Sequence, residues 1–437
     1  MPLFIKFLKK RNLRSAWNII ASRHPNTPEV QKFKNDLENN LNLLRSSLKE
    51  REFRFSDYRG ALLLQPGKKK PRPLKIPPVI DRVVQKALSH VIEPFFSDLN
   101  LPCSHGYISG HSPITALDQV LKLRDQGYKV VLEADIKDFF GSVDHVRLLD
   151  LIKSVLHFDD SLVELLDAAI KTQIGNPEEF SGEELLEYFP NGNVGVPQGG
   201  ILSPLFANAY LSGFDHCMLS EGFKLIRYAD DFVMLCKTEE EAFRAYEHAN
   251  QKLQSLNLNL HPLDEGENPK TRITTFNNGF CFLGVQFNGR ILTCSRKAVI
   301  KFKENIRIRT DVRENPDFIQ SILNLRRSVE SWAKSYSFCH AENLKVNNHE
   351  MEKIYSHLDL YVREKLIAYL RRCDFIPSKG VFENIHFYRL QIPLMKEILH
   401  HCETLENLTL KSKRREKEYR RIKRRNDKTL SGVMTSR

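Results

Sequence analysis

Two aspartates stand side by side at positions 230 and 231, inside the run Arg-Tyr-Ala-Asp-Asp-Phe-Val-Met-Leu of residues 227–235. Adjacent like charges repel, and apolar flanks do little to screen them. Carboxylates placed this way call for a positive partner. A third acid, Asp135, lies near the end of another apolar run, Tyr-Lys-Val-Val-Leu-Glu-Ala-Asp-Ile, at residues 128–136. Carboxylates drawn from different elements suit hard divalent cations such as Mg2+. Two such ions, roughly 4 Å apart, activate an attacking oxygen and stabilise a leaving one in phosphoryl transfer. An Asp-Asp pair alone is more often a solvated turn, so the whole set carries the case.

The elements that must position these acids follow from local pattern. A straight strand would send Asp230 and Asp231 to opposite faces. Residues 223–237 therefore read as strand, turn, strand, with the two acids at the turn. Residues 128–136 read as a buried strand. If the two strand elements lie side by side, all three acids converge. Upstream, residues 1–60 have helical spacing, and the N-terminus carries no acid before Glu29, which fits a basic first helix better than a targeting peptide. Residues 65–78, rich in Pro and Lys, read as a loop, and 81–96 as helix. A Gly-rich loop at 104–112 runs into a helix that Ser112 or Thr115 would cap. Helices are expected from Val146 to Ile170, then a polar, acidic excursion over 175–193. Helices follow at about 199–219 and 239–260, and a hairpin at 280–293 turns on Asn288-Gly289. Beyond 295 the strand signal fades into long helical patterns. One has an apolar stripe of Ile354, Leu358, Val362, Leu366 and Tyr369. A boundary is expected near 290–296.

Composition narrows the class. A chain of 437 residues exceeds one ordinary core and predicts two or three lobes. No run approaches 18 apolar residues, so no membrane span is expected. The eight cysteines are scattered without a C-x-x-C, which argues against a zinc ribbon or a disulfide framework and for a reducing compartment. The net charge is +12, and residues 411–428 alone hold eleven Lys/Arg against three Asp/Glu. That tail reads as an anchor for a phosphate backbone, with Arg414, Arg415, Arg420, Arg421, Arg424 and Arg425 as candidate nucleic-acid contacts.

Six blocks complete the pattern: RPLKIPPVIDRVVQKAL from Arg72, EADIKDFFGSVDH from Glu133, GVPQGGILSPLFANAYL from Gly195, RYADDFVML from Arg227, NPKTRI from Asn268 and FLGVQF from Phe282. In this order they resemble the blocks of reverse transcriptases, of the type found in bacterial group II introns and their stand-alone relatives. The resemblance covers about residues 40–370. It implies an α+β fold, a right-hand polymerase with fingers, an antiparallel palm sheet and a helical thumb; the residues beyond it read, from their own charge and pattern, as a helical, basic C-terminal extension. The corresponding boundaries are 1–295 for fingers and palm, 296–372 for the thumb and 373–437 for the extension.

By the same resemblance, Asp135, Asp230 and Asp231, with the backbone carbonyl of Ile136, would hold two Mg2+ ions, with Mn2+ as a substitute. Phe140 falls where the family places an aromatic gate against the ribose 2′-hydroxyl; the bland alternative is a core aromatic beside Phe139. Gln198 would line the incoming-nucleotide pocket, and Arg72, with Lys70 or Lys75, would contact the triphosphate. Lys270 would assist protonation of pyrophosphate, and Tyr228 would lie at the primer end. Arg227 acquires no role. Trp332 is expected in the core rather than as a stacking surface. The implied activity is RNA-directed DNA synthesis from dNTPs, with an RNA template and a DNA product. The second block, HGYISGHS, lacks the Arg of the usual GFRPGRS, which leaves a template contact in doubt. No His/Cys endonuclease cluster is seen. By analogy, a stand-alone bacterial enzyme of the cytoplasm is expected, serving antiviral defence and copying a dedicated, structured non-coding RNA. The alternatives are a maturase-like RNA-binding protein, or a polymerase with untemplated or protein-primed synthesis.

Overall fold

The computed structural model describes residues 3–373 apart from 24, 65–69, 191, 265, 267–268, 315–316 and 340–348, together with 390–395 and 398. The six tail arginines lie outside the described residues. In chain order, four helices come first: α1 (Leu3–Phe7), α2 (Lys10–Arg23), α3 (Pro28–Asn35) and α4 (Leu37–Lys49). A hairpin of β1 (Arg59–Leu63) and β2 (Arg72–Ile76) leads to α5 (Val79–Phe96), α6 (Pro113–Asp125) and β3 (Val130–Asp135). Next come α7 (Phe139–Ser142), α8 (His145–Val155), α9 (Asp160–Ile170), α10 (Gly182–Tyr188) and α11 (Ser203–Ser220). The hairpin β4 (Lys224–Tyr228) and β5 (Asp231–Cys236) is followed by α12 (Glu239–Gln254) and β6 (Arg272–Thr275). Three short strands, β7 (Phe280–Phe282), β8 (Val285–Asn288) and β9 (Ile291–Cys294), precede α13 (Arg296–Arg309), α14 (Phe318–Tyr336) and α15 (Glu350–Arg372).

The site is built on one antiparallel sheet of order β4-β5-β3-β6. Alternation along its strands feeds two cores. Leu132, Ala134, Phe232 and Met234 join the core shared with α5, α11 and α12. Val131, Ile226, Val233 and Leu235 join the core shared with α6, β7–β9 and the helices after residue 295. With both faces covered, the strands read as continuous apolar runs, which is why their β signal was plain in the sequence. The N-terminal helices bury Phe7, Leu13 and Trp17, and α1 and α2 pack on α5, so the basic start is part of the fold. Ser295 caps α13, accepting from the Ala298 N–H at 3.2 Å. Trp332 packs between Phe302 and Tyr336, with ring centroids 4.7 and 4.8 Å away, as expected for a core residue.

Three local expectations need correction. Residues 65–78 contain the strand β2, paired with β1, rather than loop alone. The proline signal misled because the Lys75 N–H points away from β1, to the Gln198 carbonyl at 2.9 Å. The nitrogen of Pro73, two residues earlier, faces the same open edge, so its missing N–H costs no ladder bond. The acidic excursion holds a helix, α10, started by a capping box of Ser181 and Glu184. The S-x-x-E spacing was a readable signal for it. The hairpin expected at 280–293 is a three-stranded meander. Asn288 pairs with Ile291, so the second turn is Gly289-Arg290, and the first is Leu283-Gly284 with φ of 52° and 78°. Leucine in a left-handed turn position carries no sequence signature.

Candidate active site

Register sets a row of candidate residues. Asp231 starts β5 and stands opposite Asp135 at the end of β3. On its other side Asp231 stands opposite Tyr228, the last residue of β4. Directly opposed residues share a face. Tyr228, Asp231 and Asp135 therefore form one row at one end of the sheet. Continuing the β3–β6 register, Lys270 falls beside Asp135, and its Nζ lies 3.0 Å from Asp135 Oδ2. Asp135 thus has a positive partner. The pair is open to solvent, with the lysine 58% and the aspartate 28% exposed. Such a pair is worth about 0–1 kcal/mol and is easily exchanged.

Asp230 sits with Ala229 in the two-residue turn between Tyr228 and Asp231. Only Ala229 of the two has positive φ, at 60°, the pattern of a type II′ turn where glycine is usual. The turn frees the consecutive carboxylates from the alternation of a straight strand. Burial pushes the Asp230 carboxyl above its ordinary pKa, and Asp135 adds to that rise, against lowering by its own backbone N–H, Arg72 and Arg227.

The donor set fits hard divalent ions. Lys137 N–H donates to the Asn259 carbonyl and His261 N–H to the Asp135 carbonyl, at 2.8 and 3.1 Å, so Ile136 lies between these bonds. Its own carbonyl therefore points to the opposite side, toward β5 and the Asp231 row. Among the described residues, no three His, Cys, Asp or Glu side chains already converge as an ion cage. Asp135 and Asp231 share an end of the sheet, with Asp230 in the adjoining turn, and Lys270 pairs with Asp135.

The nucleotide-pocket candidates divide. Arg72 Nε donates to Gln198 Oε1 at 2.7 Å, so two of them meet directly. Gly199, at φ 115°, follows, and a Cβ there would stand 3.0 Å from the Lys75 carbonyl oxygen, so the loop needs glycine to reach β2. A cavity of about 330 Å³ is lined by Lys75, Asp138, Phe140, Val196 and Gln198, with Lys70 at its rim. Phe140 faces this cavity, while its neighbour Phe139 is buried and does not line it. The Lys75 ammonium turns inward, 3.3 Å from the Thr172 carbonyl, and burial lowers its pKa. Lys70 instead pairs with Glu187 of α10 at 2.7 Å. A second cavity of about 420 Å³ lies across the Gly199-Gly200 loop, lined by Arg23, Lys86, Tyr107 and Asn208.

Three residues were missed. His261 Nε2 is 2.9 Å from Lys270 Nζ and 3.7 Å from Asp135 Oδ2; burial, then Lys270, lowers its pKa. It lies in a polar stretch without pattern, so nothing in the sequence marked it. Tyr107, at φ 60°, has its ring 6.4 Å from that of Tyr228; burial and then Asp230 raise its hydroxyl pKa. Arg227 is fully buried on the opposite face from the acids. Its charge inside a strand of apolar neighbours was the available signal.

An antiparallel sheet with aspartates at one end of adjacent strands, helices behind it and a fingers hairpin beside it is the palm of a right-hand polymerase. Residues 63–287 match the reverse transcriptase (RNA-dependent DNA polymerase) family, which is half of the chain, and the chain belongs to that family. It is 28% identical over 233 residues to the group II intron-encoded protein LtrA of Lactococcus lactis subsp. cremoris, covering 53% of this chain and 36% of LtrA. It is 29% identical over 252 residues to protein YkfC of Escherichia coli, covering 49% of this chain and 62% of YkfC. The chain thus spans about a third of LtrA's length. A chain of a Cas6-RT-Cas1–Cas2 complex matches at 27% identity and a TM-score of 0.36, covering 58% of this chain and 42% of that one. No helix among the described residues is long and apolar enough to cross a membrane.

Proposed function

We propose that the protein is an RNA-directed DNA polymerase acting by two-metal nucleotidyl transfer. The observation that carries this reading is the row of Tyr228, Asp231 and Asp135, with Lys270 at its end and Asp230 in the adjoining turn. Asp135, Asp230 and Asp231, with the Ile136 carbonyl, would hold two Mg2+ ions. When bound, those ions activate the primer 3′-hydroxyl and stabilise the leaving oxygen. Lys270 gives up Asp135 at small cost and is then placed to hand a proton to departing pyrophosphate. Tyr228 supports the primer end beside Asp231. Arg72 and Gln198 hold the incoming dNTP, and the inward ammonium of Lys75 sets the electrostatics of the cavity floor. Phe140 closes that cavity against a 2′-hydroxyl. The groove across Gly199-Gly200, with Arg23 and Lys86, suits the phosphates of the RNA template. Residues 296–372 act as the thumb, and the tail arginines at 414–425 hold RNA.

The test is incorporation of dTTP by the purified full chain on poly(rA)·oligo(dT) with Mg2+. Template-dependent DNA synthesis that Asp230→Ala/Asp231→Ala abolishes is expected. Equal synthesis by that variant, or none by wild type on an RNA template, refutes the reading. The finer reading is a cytoplasmic bacterial enzyme of antiphage defence that copies a dedicated non-coding RNA. It rests on the six-block resemblance and on the net charge of +8 in residues 411–428. Sequencing the nucleic acid that co-purifies, alongside phage plating with the double variant, tests it. A random cellular RNA population, or full protection by the inactive variant, would defeat it.

A further inference from the structure

Arg227 is buried on the face of the sheet turned away from the acids, against α11. Its Nε and Nη2 donate to the two carboxylate oxygens of Asp215, at 2.7 and 2.5 Å. Its Nη1 donates to Asn208 Oδ1 at 3.1 Å and to the Ala229 carbonyl at 2.8 Å. One guanidinium thus ties the catalytic turn to two residues of α11. Asn208 continues the circuit: its Nδ2 donates to the Gly106 carbonyl at 2.7 Å. Gly106 in turn abuts the turn from outside, where a Cβ would stand 2.4 Å from the Ala229 nitrogen. The strand beside it is fixed too, since Arg227 N–H donates to the Cys103 carbonyl and His105 N–H to the Arg227 carbonyl, both at 2.8 Å.

A buried ion pair is a weak source of stability, because desolvation offsets most of its Coulomb energy. What a rigid five-donor fork does supply is position. The residue it positions here is the strained one. Ala229 is held at φ 60° without being glycine, and the next two residues are Asp230 and Asp231. A turn in a sparsely populated conformation persists only when its surroundings over-determine it. Gly106 on one side and the Arg227 head on the other do so.

We propose that Arg227, seated by Asp215 and Asn208, is a positioning residue that sets the aspartate turn in its ion-binding geometry. The proposal rests on the metal-site reading of the three acids. Its consequence is separable from stability. Removing both charges together, as Arg227→Met/Asp215→Leu, leaves no unpaired buried ion but frees the Ala229 carbonyl and Asn208 Oδ1. Arg227→Lys keeps the charge beside Asp215 but loses the fork, so one ammonium cannot serve Asp215, Asn208 and Ala229 together.

The experiment is Mn2+ titration of the full chain by electron paramagnetic resonance without nucleotide, together with kcat and KM for dTTP and the melting midpoint. Wild type should bind Mn2+ in a way that Asp230→Ala/Asp231→Ala removes; failure there sinks the metal-site reading itself. With that binding established, the double variant should melt within about 4 °C of wild type. Its Mn2+ affinity should fall at least tenfold and its kcat about 100-fold, with KM for dTTP changed less than threefold. Arg227→Lys should show the same split in milder form. Wild-type Mn2+ affinity and kcat in a folded double variant would overturn the brace. If the double variant does not fold, the same wild-type values in Arg227→Lys would overturn it.

Discussion

Gly106→Ala adds one methyl group and should cost the enzyme most of its turnover. The new Cβ would stand 2.4 Å from the Ala229 nitrogen, 3.1 Å from the Tyr228 carbonyl carbon and 3.2 Å from the Ala229 Cα. Ordinary contact begins at about 3.4 Å, so about 1 Å must be found. All three obstructing atoms are backbone, so no side chain can swing away. The Gly106 segment cannot retreat freely, because Asn208 holds its carbonyl and His105 is bonded to β4. The aspartate turn therefore takes much of the shift. A 1 Å misplacement of reacting groups costs on the order of 100-fold in rate. Overpacking of this kind costs about 1–3 kcal/mol in stability, which leaves the protein folded. Single-nucleotide incorporation on poly(rA)·oligo(dT), with the melting midpoint measured in parallel, is the assay. Gly213→Ala, also a single added methyl on a glycine of α11 but with nothing within 4 Å of its Cβ, is the control and should keep full activity. A folded Gly106→Ala protein within threefold of wild-type kcat would show that the turn tolerates displacement, and the positional reasoning would fail.

Other consequences are equally direct. Phe140→Ala opens the wall of the 330 Å³ cavity and should raise UTP incorporation relative to dTTP at least tenfold; unchanged discrimination assigns Phe140 to the core instead. Asp81 is buried, with Ser56 N–H at 2.9 Å, and burial lifts its pKa from 3.8 to about 6. Its protonated form favours the fold, so that stability is fully present below pH 4 and is lost as pH rises through about 6. Asp81→Asn, always neutral, should therefore gain up to about 3 kcal/mol over wild type at pH 7 and nothing near pH 4. Melting curves at the two pH values check it, and an equal difference at both would refute the assignment. Deleting residues 411–437 should weaken RNA binding and flatten the slope of log K against log salt, and an unchanged slope would rule the tail out as a phosphate contact.

How far the sequence could be read depended on the kind of signal each residue left. Asp135, Asp230 and Asp231 stood out as carboxylates at the ends of apolar runs, but it was the six-block resemblance that singled them out. Their convergence was conditional on two strands lying side by side, and the register of β3 against β5 supplies that condition. Phe139 and Phe140 could not be told apart by composition, since only the backbone path decides which ring meets the cavity. The strand β2 was hidden by Pro73, whose nitrogen faces away from β1. His261 and Tyr107 were invisible because their roles come from long-range contacts. Arg227 was visible as an oddity but not as a function. Its partners lie 12 and 19 residues upstream on α11, and only the packing of that helix beneath the sheet brings them together.

The two cations around the aspartates differ in a way that matches what each must do. Lys270 reaches Asp135 from the solvent side, in a pair that water screens and a stronger cation can replace at small cost. Arg227 lies beneath, fully buried, and cannot leave without stranding Asp215 in the core. A site that must accept and release ions needs its charge balanced by something exchangeable, yet needs its ligands held by something fixed. One lysine could not do both, because the exposure that makes it exchangeable also makes it a poor anchor. Dividing the tasks between opposite faces of one sheet removes the conflict. It leaves the charge of Asp135 balanced from the solvent side, while the backbone that carries the adjacent aspartates is held from below.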